Sequence, residues 1–256
     1  MIVTLENGQQ VMERGIIFSP RLAQETHDGI KTKTRRVLLP QPPSIDAVRK
    51  LSGTDFAIYK PDGMDHWGVC GPVWAVRNLM NIESPTWNCP YGKVGDRLWV
   101  REAWRILGWH EGEPLLIQYR DGSHRAESDG EWSENYEDWS IRMYEQSSDD
   151  CAKANVPLVD DVYQPEDGKD LPTRWRPSIH MPRWCSRTLL EITDIRVERV
   201  SQISNEDALA EGIERLSTDE PPREIFFELW DSINKKRGYG IDTDPWVWAI
   251  TYRRVS

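Results

Sequence analysis

The chain has 256 residues, thirteen of them tryptophan, and a formal net charge of -10. Its length suffices for a substantial core, and its acidity excludes a general nucleic-acid coat protein, because phosphate binding rests on cationic surface. The acidity is local: residues 121 to 170 hold 15 acids against 4 Lys or Arg, while the rest holds 27 acids against 28 bases.

Cys70, Cys89, Cys151 and Cys185 are widely spaced, with no CxxC pair and no histidine at zinc-finger spacing, so reduced thiols and no metal or cofactor are expected. The amino terminus lacks an apolar signal-peptide core, and no apolar run approaches the ~18 residues of a membrane span. A cytoplasmic protein without a membrane partner is expected.

Taken in order, Gly15-Ile16-Ile17-Phe18 ends a β-type run, and Ser19-Pro20 reads as a helix start. That helix stops at Gly29, where a glycine can take the left-handed cap. Next comes Lys31-Thr32-Lys33-Thr34-Arg35-Arg36, placed to open a strand. If extended, Thr32, Thr34 and Arg36 share one face and Lys31, Lys33 and Arg35 the other. A partnership of Lys31 with Thr34 therefore requires a bend at the strand entrance.

Residues 40–88 are rich in Gly and Pro punctuators and read as an insertion of loops and a hairpin, with short β-like pieces such as Phe56 to Tyr59. Gly95-Asp96 is a turn, and the alternation from Arg97 to Trp104 is a strand. It puts Glu102 on the apolar face of Leu98, Val100 and Trp104. A carboxylate there needs a partner: an arginine in a structural pair, or a base in a cleft.

Residues 109–174 form a second, acidic insertion. Trp132, Tyr136 and Trp139 recur at helical spacing in it, so a short amphipathic helix and disorder are both compatible with the pattern. The segment from Arg174 to Arg187 reverses the charge, with Arg174, Trp175, Arg176, His180, Arg183, Trp184 and Arg187 and no acid. Arginine forks onto phosphate and tryptophan stacks on bases, so the loop is a candidate nucleic-acid guide. In the competing reading its arginines pair with the acidic insertion and its tryptophans pack in a core.

Thr188 to Val200 reads as a strand. Ser204 caps a helix that ends at Glu211-Gly212, and Phe226, Leu229, Trp230 and Ile233 form the apolar stripe of another. Trp246 to Tyr252 is a closing strand. Few strands are joined by a crossover helix, so the expected class is α+β: a small, mostly antiparallel β-barrel with flanking helices and two long insertions, in a single elaborated domain spanning 1–256.

Four segments in this order resemble the ASCH family of the PUA-like superfamily: Gly29 to Arg36, Gly95 to Glu102, Ala208 to Gly212, and the strand from Trp246; the tracts from Cys89 to Glu102 and from Trp175 to Arg187 resemble those of its phage and prophage members. The resemblance implies a PUA-like barrel with a cleft, and a role in handling RNA or nucleosides within a bacterial host cell. Some small bacterial members are N4-acetylcytidine amidohydrolases. Their Lys-x-x-Thr-x-Arg pattern matches Lys31, Thr34 and Arg36, and their helix-terminal glutamate matches Glu211. By that resemblance Thr34 is the nucleophile, Lys31 its base and Glu211 the proton donor; such an attack also needs an oxyanion stabiliser, for which Arg36 or a backbone NH is a candidate, and it requires no metal. The two insertions depart from the small amidohydrolases.

The leading expectation is hydrolysis of an N4-acyl group on a modified cytidine. The main alternative is a non-catalytic reader of RNA, single-stranded nucleic acid or modified bases, in which Arg36, Glu102 and the Arg174 to Arg187 loop touch the ligand. Ribonuclease activity and inhibition of a host protein through the acidic insertion are further alternatives.

Overall fold

The computed structural model describes residues 1–42, 57–59, 68–70, 88–108, 115–126, 136–160, 162–166, 168–213 and 220–255. Its strands, in chain order, are β1 (Ile2–Thr4), β2 (Gln10–Ile17), β3 (Lys33–Val37), β4 (Ala57–Tyr59), β5 (Gly68–Cys70), β6 (Arg97–Arg101), β7 (Trp104–Gly108), β8 (Leu116–Tyr119), β9 (His124–Ala126), β10 (Leu158–Val159), β11 (Val162–Tyr163), β12 (Leu189–Arg199) and β13 (Trp246–Arg254). The α-helices are α1 (Pro20–His27), α2 (Tyr136–Lys153), α3 (Asn205–Ala210) and α4 (Pro222–Asn234). The fold is mixed α+β. No described helix is long and apolar enough to cross a membrane.

The chain divides into two compact units, the first formed by residues 1–14, 29–98 and 190–255, the second mainly by 15–28 and 99–189. The six-stranded sheet has the order β1-β2-β6-β12-β13-β3. In the first unit β13 runs antiparallel to β3, with Ile250 opposite Thr34, and antiparallel to β12, with Tyr252 opposite Ile192. A closed barrel was the expectation, whereas among the described residues the order is open, with β1 and β3 at its two ends. The expected hairpin in 40–88 is present as the antiparallel pair β4 and β5, and residues 43–56, 60–67 and 71–87 of that insertion lie outside the described residues.

The local signals act as the residue types dictate. Pro20 opens α1 after Ser19, and Gly29 takes φ +76° behind it. The Ser204 hydroxyl caps α3 by accepting from the Asp207 amide at 3.1 Å, and Gly212 at φ +87° ends it. The buried stripe of α4 is Phe226, Trp230 and Asn234, packed with Val200, Ile203, Ala208 and Val247. Ile233, expected in that stripe, is 54% exposed. The buried positions follow an i, i+4 row, and Asn234 is accommodated by donating from Nδ2 to the Trp230 carbonyl at 3.2 Å.

The second unit has its own core. Trp104, Ile106, Ile117, Tyr119, Met143 and Cys185 are buried together. The strand expected from Arg97 to Trp104 breaks at Glu102 and Ala103 into β6 and β7, and β7 continues into the antiparallel sheet β7-β8-β9. The described part of the acidic insertion thus contributes to this core, with α2 supplying Met143. Of the aromatics that suggested the helix, Tyr136 and Trp139 fall within α2 and Trp132 lies outside the described residues.

Candidate functional site

The cationic stretch supplies the densest polar cluster of the first unit. Strand alternation sends Lys33 and Arg35 of β3 toward α3, where both donate to Asp207. Lys31 precedes the strand but joins the same side, and it is only 2% exposed. A buried ammonium needs its three donors satisfied. Lys31 Nζ donates to the Lys33 carbonyl at 2.7 Å, to the Glu211 carbonyl at 2.7 Å and to Glu211 Oε2 at 2.8 Å.

Glu211 is the residue that ends α3, so its own carbonyl has no partner within the helix. Lysine capping of that end explains why Lys31 meets both the main chain and the side chain of one residue. The Thr32 amide donates to the Ala210 carbonyl at 2.8 Å and the Tyr252 amide to the Thr32 carbonyl at 3.0 Å, which ties the entrance of β3 to α3 and to β13.

Arg35 is the hub of the cluster. Its Nη1 donates to Glu211 Oε1 at 3.2 Å, its Nη2 to Asp207 Oδ2 at 2.6 Å, and its Nε to Glu198 Oε1 at 2.8 Å. The guanidinium also lies 6.0 Å from the Phe226 ring centroid. Burial acts to lower its pKa, but Glu211, Glu198 and Asp207 outweigh burial and raise it. Asp207 shows the complementary effect: burial acts to raise it, and hydrogen bonds from Lys33 and Arg35 hold it below the usual carboxylate range.

Thr34 lies on the opposite side of β3, where alternation also puts Arg36. The Thr34 side chain is buried, Arg36 is half-buried, and Thr34 is not one of the three acceptors around Lys31. Of the three residues expected to carry catalysis, the fold joins Lys31 to Glu211 and sets Thr34 on the other face. Arg35, Asp207 and Glu198 were not singled out. The parity of Arg35 with Lys31 and Lys33 was the available signal for the first.

In the second unit Glu102 is 1% exposed and paired with Arg187, whose Nε and Nη2 reach its two oxygens at 2.9 Å each. Burial pushes the Glu102 carboxyl up, and Arg187 draws it part of the way back. Arg187 also donates to Asp121 at 2.8 Å and lies 4.2 Å from the Tyr119 ring centroid. The pair is therefore an internal anchor for the end of the Arg and Trp loop.

Most other members of that loop are also engaged. Arg174 forks onto Asp150 of α2, with Nε 2.8 Å from Oδ2. Arg176 is buried against the Trp104 ring, 5.3 Å from its centroid, and burial lowers its pKa. Trp184 packs edge-on against Trp104 at 6.2 Å. Arg183 is half-buried and His180 exposed, in two short 3₁₀ turns that follow Pro182 and Pro177. Trp175 is half-buried and has two guanidinium groups against its ring, Arg105 at 4.9 Å and Arg120 at 3.9 Å from its centroid. Neither arginine was singled out, because strand parity gives no sign of a stack between separate segments.

The first unit also carries a groove of about 370 Å³ lined in part by Val11, Met12, Arg14, Cys89, Lys93 and Asp96. Burial pushes the Cys89 thiol up to about 11. Among the described residues no group of three or more His, Cys, Asp or Glu could hold a metal ion. Comparison with family models, curated proteins and solved structures finds no match to this chain.

Proposed function

We propose that this chain is an ASCH-type, PUA-like protein that hydrolyses the N4-acyl group of a modified cytidine, with Lys31 and Glu211 as its proton-transfer pair. The observation that carries this reading is the 2.8 Å contact between Lys31 Nζ and Glu211 Oε2, made across 180 residues by the two ionisable groups that the resemblance names. A proton passed along that contact leaves a neutral amine and a protonated carboxyl. Those are the forms a base and a leaving-group acid need.

In the reaction, the Thr34 hydroxyl gives its proton to the Lys31 amine as its oxygen bonds to the acyl carbon. Collapse of the oxyanion breaks the bond to N4, which takes a proton from Glu211, and water then releases the acyl group from threonine. Because Thr34 lies on the opposite strand face, this sequence requires the backbone at residues 31–33 to turn on substrate binding. The test is incubation of the purified chain with N4-acetylcytidine and chromatography of the products. Release of cytidine that falls at least a hundredfold in Lys31→Met and Glu211→Gln supports the reading, and undetectable release by the wild type overturns it. Full turnover by Thr34→Val would pass the nucleophile's role to water.

A second reading, a non-catalytic reader of single-stranded nucleic acid, is favoured by the three acceptors already around Lys31 Nζ, which leave its ammonium fully bonded at rest. It is tested by salt-dependent oligonucleotide binding without turnover.

A further inference from the structure

Trp175 is held more firmly than a loop tryptophan needs to be. On one side of it in sequence, the Arg174 amide and guanidinium both bond to Asp150. On the other, Arg176 and Trp104 exchange two main-chain hydrogen bonds of 2.7 and 3.2 Å. The main chain on both sides of the indole is thereby tied down.

Its two guanidinium neighbours differ. Arg105 is locked: Nε donates to Gln118 at 2.6 Å, Nη1 to the Leu171 carbonyl at 3.3 Å and Nη2 to Asp170 at 2.7 Å. Arg120 is exposed at the end of β8, lies 3.9 Å from the indole centroid, and makes no ion pair among the described residues. Asp121, next to Arg120 in sequence, is engaged by Arg187 at 2.8 Å, and Asp170, five residues before Trp175, by Arg105. Among the described residues, then, Arg120 brings a positive charge with no ion-pair partner to the Trp175 ring.

That pair matches the two halves of a nucleotide. A nucleobase stacks on an indole face whatever its identity, and a guanidinium freed from that face forks onto the adjacent phosphate. We infer that the Trp175 face under Arg120 is a stacking site for one base of a single-stranded nucleic acid, with Arg120 moving off the ring to bind its phosphate. The inference rests on the reader reading above and gives it a location in the second unit, independent of turnover at Lys31.

The experiment uses the full chain and fluorescein-labelled ten-nucleotide oligouridylate, oligothymidylate and an abasic strand of equal length, followed by anisotropy across a salt series. Oligouridylate and oligothymidylate should both bind at low salt, and the abasic strand at least tenfold more weakly. Trp175→Leu should weaken oligonucleotide binding about tenfold, while Trp175→Phe, which keeps a stacking plane, should retain most of it. Arg120→Gln should weaken binding and reduce the salt slope by about one. Arg142→Gln removes an equal charge from an exposed position of α2 and should leave binding unchanged. Oligonucleotides that bind but are indifferent to Trp175→Leu, an abasic strand that binds equally well, or equal losses in Arg120→Gln and Arg142→Gln would each overturn this site while sparing the reader reading. Absence of binding at low salt overturns both.

Discussion

Lys31 and Glu211 are joined twice, the lysine ammonium donating to the carbonyl that ends α3 and to the carboxylate of the same residue, at 2.7 and 2.8 Å. The contact fastens the entrance of β3 to the carboxyl end of α3. It buries both charges, so removing either partner takes one charged neighbour from the other, although Glu211 keeps Arg35 at 3.2 Å.

That arrangement makes a stability test. Lys31→Met should cost about 3–5 kcal/mol in urea unfolding, the usual loss when one partner of a buried pair is removed. Lys31→Met combined with Glu211→Leu should cost less than the two single changes summed, by about 1–3 kcal/mol. Strict additivity would mean that the two side chains are not coupled.

Asp207 should report on the same cluster through pH. Burial acts to raise its pKa, but Lys33 and Arg35 hold it below the ordinary value. Its folded pKa being depressed, its contribution is whole above the unfolded value of about 3.9 and is lost as pH falls through the lower folded value. The stability gap between wild type and Asp207→Asn should therefore stay constant from about pH 5 to 8 and narrow below about pH 4. A gap that widens in acid would contradict the assignment.

For Glu102 the sign is opposite. Burial raises its carboxyl despite Arg187, so the folded chain holds a proton more readily than the unfolded one, and stability falls as pH rises above about 4.3. Arg187→Met removes the group that counters burial. This variant should lose about 3–5 kcal/mol at neutral pH and less at pH 5. Adding Glu102→Leu should remove that pH dependence, as followed by chemical denaturation at each pH.

Cys89 offers a chemical readout. With its thiol pushed up from 9.0 to about 11, only about a thousandth of it is thiolate at pH 8. In a Cys70→Ser background, Cys89 should react with iodoacetamide about a hundredfold more slowly than a free thiol of the ordinary value, and the rate should climb steadily to about pH 11. Peptide mass mapping separates it from buried Cys151 and Cys185.

The pattern of residues by itself determined the local elements. Pro20, Gly29, Ser204 and Gly212 punctuate helices because a fixed proline φ, hydroxyl capping and positive φ are properties of single residues. Alternation likewise put Lys33 and Arg35 on one face of β3 and Thr34 on the other, and it gave Glu102 a buried side chain. Partners were another matter. Arg187 for Glu102, Asp207 for Lys33 and Arg35, and Asp150 for Arg174 are choices among many opposite charges. Local periodicity carries no information on which of them the chain brings together. The resemblance named Lys31 and Glu211, but their contact across 180 residues exists only because α3 ends where β3 begins. The tertiary structure decided that Lys31, which precedes β3, joins Lys33 and Arg35 at the carboxylates, because Glu211 accepts its buried ammonium there through both its carbonyl and its side chain.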